Sequence, residues 1–256
     1  MIDLHNHILP NVDDGACGLH ETIEMLQIAV KDGIHTIIAT PHYCVPRYRV
    51  PQKIIQEKVR QINNLAKQHG LPIEIFPGRE MMLDTTILNT IKQEVICTLA
   101  GTDYMLIELP MYEWKDYYRD IIYELQVMGY VPILAHAERY PYFWEEPSKI
   151  NDLLQEGVLI QINSGSVLGM WGKTVQKTTR TFLKHGIVQF IGSDAHNSKE
   201  RPPTLSKAVS VINKIQPCLG ERLLFNGELL IMNKEVVSNS EKITLSKSIW
   251  DFLRRK

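Results

Sequence analysis

At 256 residues, 44% hydrophobic and 22% charged, the chain is long enough to bury the core of one large α/β domain or two small ones. Its 28 basic and 29 acidic residues leave a formal charge of −1, so no global field draws it to nucleic acid or a membrane surface, and an anionic substrate must be held by local groups. Cys17, Cys44, Cys97 and Cys218 lack Cys-x-x-Cys spacing, no signal-peptide pattern opens the chain and no run approaches ~20 apolar residues, so a cytoplasmic protein without membrane insertion is expected.

Short β-branched runs alternate with stretches of helical period. The first run, Ile2–His5, puts His5 and His7 on one side, because alternate residues of a strand share a face; Asp13 and Asp14 follow in the loop. Ile23, Leu26 and Val30 share a face of a helix that stops at Gly33, ahead of a second strand, Thr36–Thr40, which delivers His42. Pro51 opens a long helix ending near Gly70. The third strand, Ile73–Pro77, leads to Glu80, and the fourth, Tyr104–Leu109, contains Glu108. Helices closed by Gly129, Gly157 and Gly186 each precede another strand. Val131–Ala135 leads to His136, Glu138 and Arg139, Val158–Ile162 to Asn163 and Ser164, and Val188–Ile191 to Asp194 and His196.

Repeated β-α units of ~30 residues predict a parallel sheet, and seven in succession favour a closed β/α barrel in one domain over an open doubly wound sheet. No Gly-x-Gly-x-x-Gly turn follows the first strand, which disfavours a dinucleotide fold. Active sites of parallel barrels form at the C-terminal strand ends, where this chain repeatedly places an imidazole or a carboxylate. Such mixed ligands without cysteine disfavour structural zinc and suit manganese, iron or catalytic zinc, and they are too many for one ion. A multinuclear hydrolytic centre is predicted, in which metal ions activate water and neutralise phosphoryl charge. Arg139 and Arg201 are candidate catalytic contacts to a phosphate; the alternative is surface pairing with Glu145 and Glu200. His20, His35, His69 and His185 lie in helical segments or turns and are expected to be solvated or capping.

The stretches "DLHNHILPNVDDG", "ATPHY", "PGREM", "IELP", "LAHAERY", "QINSGS" and "GSDAHN…RPP" together resemble the polymerase-and-histidinol-phosphatase (PHP) superfamily, and within it the manganese-dependent protein-tyrosine phosphatases of capsule and exopolysaccharide operons. The resemblance implies a distorted seven-stranded barrel with three metal ions: His5, His7, Glu80 and Asp194 around one, Glu80, Glu108 and His136 around a second, Asp14, His42 and His196 around a third. It also implies a phosphotyrosine protein substrate, notably a membrane-associated tyrosine kinase. No cysteine has an arginine six positions later, so a tyrosine phosphatase built on this chain must use a metal-activated hydroxide and not a thiolate.

Two departures stand out: Arg79 precedes Glu80 where a small or neutral residue is usual, and "FNGELLIMN" has glycine where the family shows Asn-Pro, a position expected to begin the last helix. Strand alternation should turn Arg79 away from the metals. Tyr43, Tyr48, Tyr112 and Trp114 are candidates either to meet a tyrosine ring or to anchor rim loops, and a helical tail from about residue 240 ends in "SIWDFLRRK", read as docked. The competing readings are a phosphatase of a small phosphomonoester such as histidinol phosphate, an amidohydrolase, which would need a lysine on the fourth strand where Glu108 stands, and a non-catalytic kinase-binding module.

Overall fold

Parallel strands alternate with helices along the whole of a computed structural model of the chain, which describes residues 1–93, 98–238 and 242–243. The strands are β1 (Ile2–Asn6), β2 (Thr36–Ala39), β3 (His42–Tyr43), β4 (Glu74–Pro77), β5 (Glu80–Met82), β6 (Tyr104–Glu108), β7 (Val131–Leu134), β8 (Leu159–Asn163) and β9 (Phe190–Gly192). The helices are α1 (Leu19–Asp32), α2 (Gln52–Gln68), α3 (Ile87–Gln93), α4 (Tyr117–Val127), α5 (Pro141–Glu145), α6 (Ile150–Gln155), α7 (Ser164–Leu168), α8 (Gly172–Lys184), α9 (Ser206–Ile215) and α10 (Leu219–Ile231). Strand pairing is parallel throughout, in a three-stranded sheet of order β1-β2-β4 and a six-stranded sheet of order β3-β5-β6-β7-β8-β9.

Each of the seven expected runs overlaps a strand, and the additions are the short strands β3 and β5, which follow β2 and β4 in the chain. Pro41, which has no N–H to give a ladder, interrupts the first pair. At the second, Gly78 is pressed so closely that a Cβ would stand 2.8 Å from Ile38 Cγ2. The breaks move β3 and β5 into the six-stranded sheet, so that His42 pairs in register with Glu80, and Met82 with Glu108. On the other side β1 meets the segment after β9: Asp194 N donates to His5 O at 2.8 Å and His7 N to Ala195 O at 2.9 Å.

The helices form where the apolar period expects them. Gly33 caps α1 in the left-handed region, φ 87°, the conformation glycine adopts without a Cβ clash. Inward-facing Met25, Leu26 and Ala29 of α1, and Ile55, Val59, Ile62 and Ala66 of α2, pack on the apolar face of the strands. Removing apolar area of this kind from water yields roughly 25 cal/mol per Å², which is what holds the helices to the sheet. The dipeptide Asn226-Gly227 lies inside α10, not at its start; a Cβ on Gly227 would be 3.6 Å from Ile2 Cβ, so glycine lets the helix approach β1. Among the described residues no helix is long and apolar enough to cross a membrane. The tail beginning near residue 240 falls almost wholly outside the described residues.

Candidate metal centre

The nine residues anticipated as ligands meet in one basin at the C-terminal strand ends. Fully buried Glu80 is central: its Oε2 lies 3.2 Å from His5 Nε2, 3.3 Å from His7 Nε2 and 3.0 Å from His42 Nδ1, while Oε1 lies 2.8 Å from His136 Nε2. Asp194 Oδ1 stands 3.5–3.6 Å from nitrogens of His5, His7 and His196. Glu108 flanks His42 and His136 at 3.6 Å each, and Asp14 reaches His42 Nε2 at 3.5 Å and His196 Nε2 at 3.6 Å. Three groupings could each take an ion: His7, Asp14, His42 and His196; His5, His7 and Glu80; His42, Glu80 and Glu108. His7 and His42 therefore each sit between two groupings.

The donor set fits divalent cations. Glu80 Oε2 is buried and makes no hydrogen bond, although imidazole nitrogens surround it. An orphaned carboxylate oxygen in the interior is costly, and a cation coordinated there would remove the cost. The outer nitrogens are already committed. His7 Nδ1 donates to Asp13 Oδ2 at 2.7 Å, His196 Nδ1 to its neighbour Asp194 O at 3.0 Å, and His5 Nδ1 to Gln161 Oε1 at 3.1 Å. Gln161 is oriented by its own amide, which donates to Ile162 O and Asn163 Oδ1, and its oxygen also accepts His136 N at 2.8 Å. These bonds turn Nε2 of His5, His7 and His196 towards the basin, the outer support that metal-binding histidines need; on His5 and His7, despite their burial, the surrounding carboxylates favour a proton, whose place a bound cation would take.

The backbone pays attention to the same point: His136 (φ 34°) and Asp194 (φ 52°) occupy the left-handed region, which disfavours residues bearing a Cβ. The Gln161 bond to His136 N and the Asp194 N bond to His5 O hold these two in place. Two glycines make the approach possible. A Cβ on Gly15 would lie 2.1 Å from His7 O, and one on Gly192 2.7 Å from His5 Cβ.

Burial and mutual charge set the protonation states. Burial opposes ionisation of Glu80, but His5, His42 and His136 outweigh it and hold the carboxyl well below its ordinary range. Burial and the Glu80 charge push Glu108 up to about 8. Burial and neighbouring His7 press His196 down to about 2, leaving a neutral imidazole. Asp194, despite its burial, is held well below the carboxylate range by His5, His7 and Arg201.

At the lip, Arg139 Nη1 lies 3.0 Å and Arg201 Nη2 2.7 Å from Asp194 Oδ2, so the two arginines meet at this carboxylate and not at Glu145 or Glu200. Trp171 backs both, with its ring centroid 4.3 Å from the Arg139 guanidinium carbon and 5.2 Å from that of Arg201. Tyr48 stacks on His42 at 5.8 Å; Tyr43 is buried beneath Arg79, Trp114 packs on Tyr118, Tyr142 and Phe143, and Tyr112 is 87% exposed. Arg79 is buried and donates to Val50 O, away from the basin. Glu138 is buried and accepts Asn163 N, while Asn163 Nδ2 donates to Asp194 Oδ2. The other histidines lie elsewhere: His20 pairs with Glu24, His35 bonds Thr36, and His69 and His185 end α2 and α8.

Gln161, Asp13 and Trp171 are the contributors whose roles sequence reasoning did not assign. Gln161 had a signal, a lone amide within the apolar run "LIQIN" and two residues before Asn163, hence on the same side. Trp171 had none.

The parallel α/β fold is similar to that of PHP-type phosphatases. A solved histidinol phosphate phosphatase from Lactococcus lactis shares this fold at a TM-score of 0.54 and 16% identity, over 84% of this chain and 93% of that one. The chain belongs to the capsular polysaccharide synthesis family CpsB/CapC, whose model matches residues 1–233. It is 33% identical to the tyrosine-protein phosphatase YwqE of Bacillus subtilis, over 98% of this chain and 100% of the relative. It is also 33% identical to the putative tyrosine-protein phosphatase CapC of Staphylococcus aureus, over 92% and 93%. A structure solved in work on YwqE and on CpsB from Streptococcus pneumoniae, described as unique metal-dependent tyrosine phosphatases, superposes with a TM-score of 0.91 at 33% identity, over 96% of this chain and 100% of that one.

Proposed function

We propose that the protein is a cytoplasmic, metal-dependent protein-tyrosine phosphatase that uses manganese and acts on a membrane-associated tyrosine kinase of capsular or exopolysaccharide synthesis. The observation that carries this reading is the orphaned Glu80 Oε2, buried among nitrogens of His5, His7 and His42 in a chain so similar to named tyrosine-protein phosphatases. We read the whole chain as one domain and the two sheets as parts of a distorted seven-stranded barrel. In that reading β2 with β3, and β4 with β5, each count as one interrupted strand, and the backbone bonds between β1 and Asp194–Ala195 support closure.

His5, His7, Glu80 and Asp194 would hold one ion, Glu80, Glu108 and His136 a second, and Asp14, His42 and His196 a third, with Glu80 shared. The proximity of His7 to the Asp14 grouping and of His42 to Glu80 and Glu108 suits ligands standing between neighbouring ions. Iron or zinc would also suit these donors. Bound divalent ions supply a lowered water pKa and neutralise charge on phosphoryl oxygens. The protein's share is positioning. Asp194, kept ionised by His5, His7 and Arg201, or His7 itself orients the attacking water. Arg139 and Arg201 direct guanidinium N–H groups towards the phosphoryl oxygens, where charge grows in the transition state.

The test is phosphate release from a phosphotyrosine peptide. Manganese should stimulate it, a chelator should abolish it, and kcat/KM should exceed that for histidinol phosphate. Full turnover after exhaustive metal removal, or a preference for histidinol phosphate, would overturn the reading. Kinase binding without phosphate release under any metal would mark the chain as a non-catalytic module.

A further inference from the structure

We propose that the outward face of α8 docks an acidic segment flanking the phosphotyrosine of a protein substrate, an inference that rests on the phosphatase reading above. Lys173, Lys177, Arg180 and Lys184 recur at spacings of four, three and four, so they share one face of the helix. All four are exposed, while Val175, Thr178, Thr179, Phe182 and Leu183 fill the buried side. With Gln176 and Thr181 these cations line a shallow depression of ≈ 340 Å³ whose lining, among the described residues, includes no acidic side chain.

The stripe is unbalanced. From Gly157 to Ser193 the sequence contains no aspartate or glutamate, in a chain whose 28 basic and 29 acidic residues nearly cancel overall. Among the described residues none of the four cations has an ion-pair partner within 4.0 Å. Like charges three and four residues apart on a helix oppose its formation, so this arrangement disfavours the isolated fold and is relieved by an anionic partner. Its position is equally specific: α8 begins one residue after Trp171, whose ring backs Arg139 and Arg201 at the lip of the metal basin. From Lys173 to Lys184 the helix rises about 17 Å at 1.5 Å per residue. An extended peptide covers that length in about five residues. A substrate whose phosphotyrosine enters the basin can therefore lay a short acidic flank along the stripe, which would raise encounter rate and affinity more than turnover.

The experiment compares phosphotyrosine peptides that carry a glutamate run, one residue per stripe cation, on the N-terminal or C-terminal side with glutamine versions of the same peptides. The manganese-loaded full chain should favour at least one acidic peptide by roughly tenfold in kcat/KM at low salt, mainly through KM, and the preference should shrink as salt is added. A Lys177→Glu/Arg180→Glu variant should lose that preference while hydrolysing p-nitrophenyl phosphate as the parent does, which confirms that fold and metal site are intact. Equal use of acidic and neutral peptides by the parent, or a preference that survives in the variant, overturns the proposal. If no phosphoester is hydrolysed, the phosphatase reading fails separately, and fluorescence anisotropy with an unphosphorylated glutamate-run peptide then judges the stripe: binding lost in the variant supports it, no binding refutes it. Loss of sedimentation with phosphatidylserine vesicles in the variant, with peptide selectivity unchanged, would make the face a membrane contact and refute it too.

Discussion

Replacing Asp13 by asparagine removes one charge and one acceptor beneath His7 while barely altering volume. Asp13 Oδ2 accepts His7 Nδ1 at 2.7 Å and His42 N at 2.9 Å, and Oδ1 accepts Gly15 N at 3.0 Å. Burial alone would raise this carboxyl, but His7 and the three donors lower it to about 2, so it is a firm anion at neutral pH. Asparagine cannot satisfy all three donors. If its oxygen stays on His7, its NH₂ meets the Gly15 N–H; if it turns round, His7 must accept at Nδ1 and carry its proton on Nε2, which removes it as a ligand. Loss of an outer partner of this kind typically weakens metal binding 10–100-fold, about 1.4–2.7 kcal/mol. Calorimetric titration of the metal-free Asp13→Asn protein with Mn²⁺ measures this directly, and excess metal should restore most of the activity. Affinity within twofold of the parent would refute the claim that Asp13 sets the His7 tautomer.

Metal affinity should rise at least tenfold per pH unit from pH 6 towards 8, because Glu108, pushed up to about 8, must lose its proton to bind an ion, and so must His5 and His7, which despite burial the surrounding carboxylates hold above the ordinary imidazole range. Calorimetry in buffers of different ionisation heat would count the protons released. The same raised value means that Glu108's contribution to metal-free stability, complete below its ordinary range, is lost as pH climbs through 8. Gly192→Ala should destabilise the fold by about 1–3 kcal/mol through contact with His5 Cβ and Gln161 Nε2, seen as a lower Tm with weakened metal binding. Trp171→Ala should raise KM for phosphotyrosine peptides several-fold with a smaller change in kcat, since each arginine–indole contact is worth about 0.5–1 kcal/mol.

The basin was legible in the sequence because its donors lie at or just beyond the ends of short apolar strands, whose alternation fixes which residues share a side. What was not legible depends on contacts between distant segments. The two further short strands, β3 and β5, follow from how Pro41 and Gly78 meet their neighbours, and their pairing decides that His42 stands beside Glu80. Asp194 as the common partner of both arginines could not be chosen over the adjacent Glu145 and Glu200 without tertiary placement. Gly227 misled for a related reason: the family's Asn-Pro at this position suggests a helix start, whereas in the fold the glycine lies inside α10 and serves its close packing on β1.

The central claim, that the buried Glu80 joins neighbouring ions whose occupancy creates the phosphatase, is tested most directly by titrating metal-free protein with Mn²⁺ while following metal bound per chain and phosphotyrosine-peptide turnover together. The account predicts more than one ion per chain, up to three, with turnover appearing only as the cluster fills, and both lost in Glu80→Gln. Turnover in fully stripped protein, or unchanged stoichiometry and rate in Glu80→Gln, would contradict it.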